Sequence, residues 1–213
     1  MLLFSISTYL LLKTFSNKNI KKKHIKPTFT LTLTKFYIMK IINKIQDLKK
    51  ELSLQSRKSI KFIPTIKTLH NRHLSLIKTS ITKSQFTIVS IFINPTQFNN
   101  KLDYKNYPFD YENNIKLLYQ INVDLVFSPN AKALYSIQIP INIYLNHLHI
   151  ILERTKKANH FEGIIKILNI FFRLIKPNFS FFGEKDYQQY LIVKYFTNLF
   201  FKKTEIVLCP TIR

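Results

Sequence analysis

Residues 86–93, Phe86-Thr87-Ile88-Val89-Ser90-Ile91-Phe92-Ile93, form an unbroken run of apolar and β-prone side chains closed by Asn94-Pro95. A strand with one wet face alternates polar and apolar residues, and this one does not. It therefore reads as a strand covered on both faces, as in a parallel sheet. Outward from it, helical and extended patterns alternate. Ile41, Ile42, Ile45, Leu48 and Leu52 recur at helical spacing with Lys and Asp between them, which predicts an amphipathic helix from residue 40 onward. Residues 60–63 read as a short strand ended by Pro64. Residues 70–83 carry Leu74, Ile77 and Ile81 on one face of a second helix, and 94–108 read as a loop. Further on, 110–120, 164–175 and 187–201 are helical in pattern, while 123–127, 139–145, 179–182 and 205–208 read as strands. This alternation predicts an α/β fold, a mainly parallel sheet with helices on both faces, whose ligands sit at the carboxyl ends of the strands.

The chain has 213 residues, enough for one domain with a sizeable core. Its 33 Lys and Arg against 11 Asp and Glu give a formal charge of +22, a balance usually read as the mark of a polyanion binder. Composition weakens that reading. Lys, Ile, Phe, Asn and Tyr, all with A/T-rich codons, supply half of the residues, only 5 of the 33 basic residues are Arg, and Gly occurs twice. Base composition thus accounts for most of the basicity. At 46% apolar residues the chain is globular rather than disordered. Its single cysteine, Cys209, excludes an intramolecular disulfide framework and suits a reducing compartment.

Residues 1–38 stand apart as a basic N-terminal extension, with seven Lys, no acid and a short apolar run too short to span a bilayer. An organellar presequence is one expectation. The favoured one is that translation starts at Met39 and that 1–38 are an upstream extension, leaving 39–213 as the folded domain.

Three segments lie where strands are expected to end. In the first, Pro64 and Thr65 lead to His70 and His73, three apart and so on one face at a helix start. Backbone N–H groups and the helix dipole there favour a phosphate, and imidazoles can add donors. Two histidines make half of a zinc site and no nearby Cys or acid completes it; two surface histidines without a task remain an open alternative. In the second, Asn94 and Gln97 follow the central strand and offer amide groups suited to a hydroxy acid or a carboxylate, though an ordinary polar loop would look the same. In the third, Gly183-Glu184-Lys185-Asp186-Tyr187-Gln188-Gln189, a glycine falls at a strand-to-helix turn, where backbone without Cβ can approach a ligand. Lys185 and Asp186 could hold a phosphate and orient a metal or an amide, and Gln189 lies one turn on. The other glycine, Gly163, follows Lys157, Asn159 and His160 in a basic loop opening a helix.

Taken in order, these segments, with residues 90–95, Gln97-Phe98, Tyr107-Pro108, 123–127, His160-Phe161 and 182–189, resemble the pantothenate synthetase family over residues 39–213. The resemblance implies a Rossmann-like nucleotidyltransferase domain that condenses pantoate with β-alanine through a pantoyl adenylate, using ATP with Mg2+ and releasing AMP and pyrophosphate. It implies ATP-binding roles for Pro64, Thr65, His70, His73, Gly183, Lys185 and Asp186, with His70, His73 and Lys185 acting on the phosphates. Gln97 and Gln189 match the family's pantoate-binding glutamines. Together with the strand ends, this predicts that His70, His73, Gln97, Lys185, Asp186 and Gln189 converge on one pocket. A cytoplasmic, homodimeric protein without a membrane or a specific nucleic acid as partner is the further expectation.

Several positions depart from the family. Arg72 stands where it has a glycine, Ile66 replaces a methionine, Lys157 replaces an arginine, and Asn113 and Asn114 stand where acids near the metal are usual. The sequence stops at Arg213, before the family's serine-serine-arginine-asparagine segment and its small C-terminal domain. Very slow pantothenate formation, or none, is therefore expected of this chain by itself. The alternative from another class is a non-catalytic basic remnant that binds nucleic acid or another polyanion.

Overall fold

Six short strands, each needing neighbours on both sides or cover on both faces, settle into one parallel sheet. The computed structural model describes residues 39–65, 69, 71–81, 86–98, 100–137 and 158–210, all within one compact unit. Its strands are β1 (Lys40–Ile42), β2 (Ile60–Thr65), β3 (Phe86–Ile91), β4 (Leu125–Phe127), β5 (Phe179–Gly183) and β6 (Glu205–Cys209). They pair in the order β1-β4-β3-β2-β5-β6, every described pair parallel. Between them run α1 (Ile45–Leu54), α2 (Asn71–Ile81), α3 (Lys101–Lys105), α4 (Tyr111–Gln120), α5 (Ala131–Tyr135), α6 (Ala158–Ile175) and α7 (Tyr187–Phe200).

Direction of travel decides which face each helix covers. From β2 the chain moves to β3 and then β4, whereas β1 to β2, β4 to β5 and β5 to β6 move the opposite way across the sheet. Right-handed crossovers of opposite travel put their helices on opposite faces. The two cores follow: Leu48, Ile167, Phe171 and Phe196 of α1, α6 and α7 pack with Phe62, Ile88, Phe127 and Phe182, while Ile77 and Leu118 of α2 and α4 pack with Ile63, Val89, Val126 and Phe181. Neighbours 62/63, 88/89, 126/127 and 181/182 divide between the two, the period of two that an extended chain imposes. β3 is buried at all six positions, as its apolar run requires. Phe171 meets Phe62, Phe92 and Phe127 edge to face or nearly so, with centroids 5.5, 5.9 and 6.1 Å away.

Three readings of the sequence need correction. Ile41 and Ile42 belong to edge strand β1 and pair with Val126 and Phe127; the helix begins only at Ile45. Pairing with β4 outweighs a helical pattern that one extra turn would also satisfy. Second, Pro64 does not end β2, which continues to Thr65. Alternate residues of a parallel strand turn their backbone groups to opposite neighbours, and the Thr65 carbonyl accepts the Phe92 N–H from the β3 side at 3.3 Å. The missing N–H of Pro64 therefore faces β5, whose pairing with β2 ends at Phe62 and Ser180, so no ladder bond is lost. Third, strand β4 begins at Leu125 rather than 123, and 94–108 holds α3 and a 3₁₀ turn at Pro95–Gln97. The strand read at 139–145, and the extension at 1–38, lie outside the described residues.

Buried charge is matched locally. Lys61 is 2% exposed on β2, and its ammonium donates to the Ser80 carbonyl in the last turn of α2, where the helix dipole favours a cation. Burial alone would raise the Glu51 carboxyl, but hydrogen bonds from Lys40 (2.6 Å) and Gln55 (3.0 Å) and the nearby lysines hold it below the usual range, tying α1 to β1.

Glycine scarcity leaves a trace in the backbone. Among the described residues, the two non-glycine positions with left-handed φ are Asn122 (59°), just after α4, and Lys176 (50°), just after α6 and before Pro177. Glycine favours this helix-ending conformation, and a lysine Cβ there costs about 1 kcal/mol. Lys176→Gly is therefore expected to stabilise the fold by about 1 kcal/mol in urea unfolding, and a loss of stability would contradict this account of the turn.

Candidate active site

Strand order reverses at β2. The chain leaves it toward β3 on one side and later returns to β5 on the other, which opens a crevice at the carboxyl ends of β2 and β5. Thr65 pairs with Ile91, so β2 and β3 end level, whereas β5 pairs with β2 only at Lys61–Phe179 and Phe62–Ser180 and then runs on beside β6 to Gly183. All three strands are parallel, so their carboxyl ends lie in one row along the same edge of the sheet.

Each candidate residue leaves from this row or just beyond it. Thr65 is 1% exposed and its hydroxyl donates to the Ser90 carbonyl, so it braces β2 against β3. His73 is half-buried in the first turn of α2. One turn on, Leu76 Cδ1 lies 3.7 Å from the point a Cβ on Gly183 would occupy, so α2 packs on the end of β5. Lys185 and Asp186 are exposed in the 3₁₀ turn Glu184–Asp186, and Gln189 is half-buried in the first turn of α7. Gln97 ends the turn after β3, and its Nε2 is buried with no hydrogen-bond partner, a donor awaiting an acceptor. The contact of Leu76 with Gly183 thus brings α2, which carries His73, to the turn that carries Lys185 and Asp186, with Gln189 in the helix that follows, while Gln97 stands six residues beyond the end of β3. His70, Lys157, and the side chains of Arg72 and His160, lie outside the described residues.

Asn94 differs from its reading as an open amide. It is fully buried; its Nδ2 donates to the Gly163 carbonyl (3.0 Å), and its Oδ1 accepts from the Thr96 N–H (3.1 Å), the Thr96 hydroxyl (2.8 Å) and the Tyr135 hydroxyl. Burial raises the Tyr135 phenol, and a hydrogen bond with Thr96 only partly offsets this, so it stays protonated as a donor. This knot, which no local sequence signal marks, joins β3, α5 and α6 and fixes the turn that carries Gln97.

The two glycines differ in what surrounds them. Gly183 has an extended backbone (φ −85°, ψ 142°) that any residue adopts, and a Cβ there would make an ordinary contact. At Gly163 a Cβ would come within 2.7 Å of Thr96 Oγ1 and 3.3 Å of its carbonyl oxygen. The close approach lies there.

An open cleft of about 650 Å³ lies elsewhere, at the ends of β1 and β4, lined by Asn43, Lys44, Gln46, Ser128 and Asn130 among others. No candidate residue lines it. Among the described residues no group of three or more His, Cys, Asp or Glu could hold a metal, and no helix is long and apolar enough to cross a membrane.

A sequence model of the pantoate-beta-alanine ligase family matches residues 38–213. The chain belongs to this family. It is 41% identical over 157 residues to the pantothenate synthetase of Leptospira interrogans, covering 73% of this chain and 55% of that protein. With that of Leptospira biflexa it shares 44% over 158 residues, covering 73% and 56%. Among solved structures, the Francisella tularensis pantoate-beta-alanine ligase, in complex with beta-gamma ATP and beta-alanine, superimposes with a TM-score of 0.72 at 37% identity, covering 83% of this chain and 68% of that one. The pantothenate synthetase of Thermus thermophilus gives 0.68 at 30% identity, covering 82% and 63%. The chain spans between half and two thirds of the length of the curated relatives it matches.

The glycine geometry carries opposite expectations for one substitution. Gly163→Ala gains about 1 kcal/mol of helix propensity but overpacks against Thr96 by about 1–3 kcal/mol, so a net loss of stability is expected. Gly183→Ala is expected to leave the unfolding midpoint unchanged. Paired urea titrations decide it, and the reverse ranking would overturn the assignment.

Proposed function

We propose that this chain performs ligase chemistry: ATP-dependent joining of pantoate to β-alanine through a pantoyl adenylate. The observation that carries it is the buried, unpartnered Nε2 of Gln97 just beyond the carboxyl end of β3, which ends level with β2, within a chain of this family. A buried donor without an acceptor costs about 1–3 kcal/mol, so its retention makes sense where a ligand oxygen completes it. Gln97 and, from the opposite side of the row, Gln189 would hold the pantoate carboxylate and hydroxyls.

In the first step a pantoate carboxylate oxygen bonds to the α-phosphorus of ATP as the bond to the pyrophosphate oxygen breaks. Charge accumulates on the phosphoryl oxygens and on the leaving pyrophosphate. Lys185 on its exposed turn, His73 in the first turn of α2, and His70 before it supply cationic and N–H donors toward those oxygens, and the Thr65 and Gly183 backbones border the same crevice. Each such group set in advance lowers the barrier by about 2.7–4 kcal/mol. In the second step the β-alanine amine attacks the acyl carbon and AMP departs. The adenylate is already activated, so proximity is the main requirement.

Mg2+ would come with the triphosphate as part of the substrate and would offset its charge, and an ion that keeps most of its waters needs few protein ligands. Glu184 and Asp186, flanking Lys185 in its turn, are the carboxylates that would meet its water shell. A cytoplasmic setting belongs to the same proposal, supported by the free, buried Cys209, whose thiol is pushed up by burial and so kept protonated. Assembly as a homodimer is carried with it. The polyanion-binding alternative draws on net charge alone and finds no support in the family relationship.

The test is pyrophosphate exchange into ATP dependent on pantoate, with AMP release dependent on β-alanine. Lys185→Ala is expected to slow exchange about 100-fold, and Gln97→Leu to raise the pantoate KM about tenfold. Exchange indifferent to both substitutions would overturn the site.

A further inference from the structure

Leu69 lies between the end of β2 at Thr65 and the start of α2 at Asn71, the helix whose first turn carries His73, and it is held twice. Its side chain is 5% exposed in the core shared by α2 and α4, and its N–H donates to Asn114 Oδ1 at 3.0 Å. Asn114 comes from α4, 45 positions away, and is fully buried. Its other amide atom, Nδ2, is also buried and has no hydrogen-bond partner. A helix-interior asparagine has poor helical propensity, and a half-satisfied buried amide costs more than an apolar residue of the same size. Helix stability therefore does not account for the residue; the bond to Leu69 does.

We propose that Asn114 is a positioning residue, which pins the chain just before α2 through the Leu69 N–H and so sets the start of the helix whose first turn carries His73 beside the nucleotide crevice. This rests on the ligase reading for its consequence but not for its geometry. The bond is directional and the turn otherwise has only the Leu69 side chain as a described anchor. A leucine at 114 would fill the same volume and remove the bond. An aspartate would keep an acceptor for Leu69 and strengthen it by charge. Asn113, one residue earlier, is exposed at the start of α4, where its backbone N–H is capped by Asp110, and cannot substitute.

Two readouts separate the clamp from its use. Amide hydrogen exchange at Leu69 reports the clamp: protection is expected in the wild-type chain and in Asn114→Asp, and roughly tenfold or more faster exchange in Asn114→Leu with α4 amides such as Leu118 unchanged. Should Asn114→Leu fail to fold, the wild-type Leu69 amide decides alone, and exchange at open-loop rates in the folded chain overturns the proposal. Calorimetric binding of a non-hydrolysable ATP analogue reports the use. Asn114→Leu is expected to weaken it about tenfold while pantoate affinity holds, with Asn114→Asp restoring the nucleotide. Equal affinity in Asn114→Leu and wild type overturns the positioning role. A wild-type chain that binds no nucleotide counts against the ligase reading, and the clamp is then judged by exchange.

Discussion

The placement of β2 between β3 and β5 is the constraint from which the rest of the molecule follows. A parallel strand cannot be reached by a tight hairpin, so each neighbour of β2 requires a crossover, and the two crossovers leave on opposite sides. That opposition forces helices onto both faces, which explains why β3 and most of β2 and β5 are buried. It also opens the crevice at the strand ends. The presence of Pro64 inside β2 follows from the same arrangement, because β5 pairs only with its first half. The short β2–β5 ladder leaves the carboxyl end of β2 tied firmly to β3 alone, and Thr65 adds its own bond to Ser90 there.

Rigid support converts that crevice into a site with defined donors. Asn94 holds β3, α5 and α6 together through four hydrogen bonds, and Gly163 allows the close approach that this requires. Buried networks of this kind are most valuable when every member is satisfied, and near this one two buried polar ends are left open, Ser90 Oγ on β3 and Gln97 Nε2 on the adjoining turn. Lys185 and Asp186, by contrast, stand exposed on a short turn, suited to groups that must meet a highly charged, well-hydrated ligand. The proposed site would therefore combine a fixed amide with solvated charge.

Much of this was legible in the sequence because it is written locally. The run at 86–93 carries no polar alternation, and the turn at 183–189 joins a glycine, three charges and two amides within seven residues. β1 was not legible, since three residues cannot distinguish a strand from a helical turn and its partner lies 85 positions away, Lys40 against Leu125. The Asn94 knot spans 69 positions to Gly163 and 41 to Tyr135, and the Leu69 clamp spans 45. Hydrogen bonds at such separations leave no periodicity, so asparagines in a chain rich in asparagine looked like ordinary polar residues. The need for a glycine at 163 is hidden for a related reason. A turn advertises backbone freedom, whereas the need for a missing Cβ arises wherever two elements pack closely, and a helix interior gives no sign of it.

The central claim is that chemistry takes place at the row formed by Ile91, Thr65 and Gly183. A crystal structure of the chain with a non-hydrolysable ATP analogue and pantoate tests it most directly. The account predicts phosphates between the Gly183–Lys185 turn and the start of α2, with a pantoate oxygen accepting from Gln97 Nε2. Ligands seated instead in the cleft between Lys44 and Asn130, or a Gln97 amide turned away from them, would contradict it.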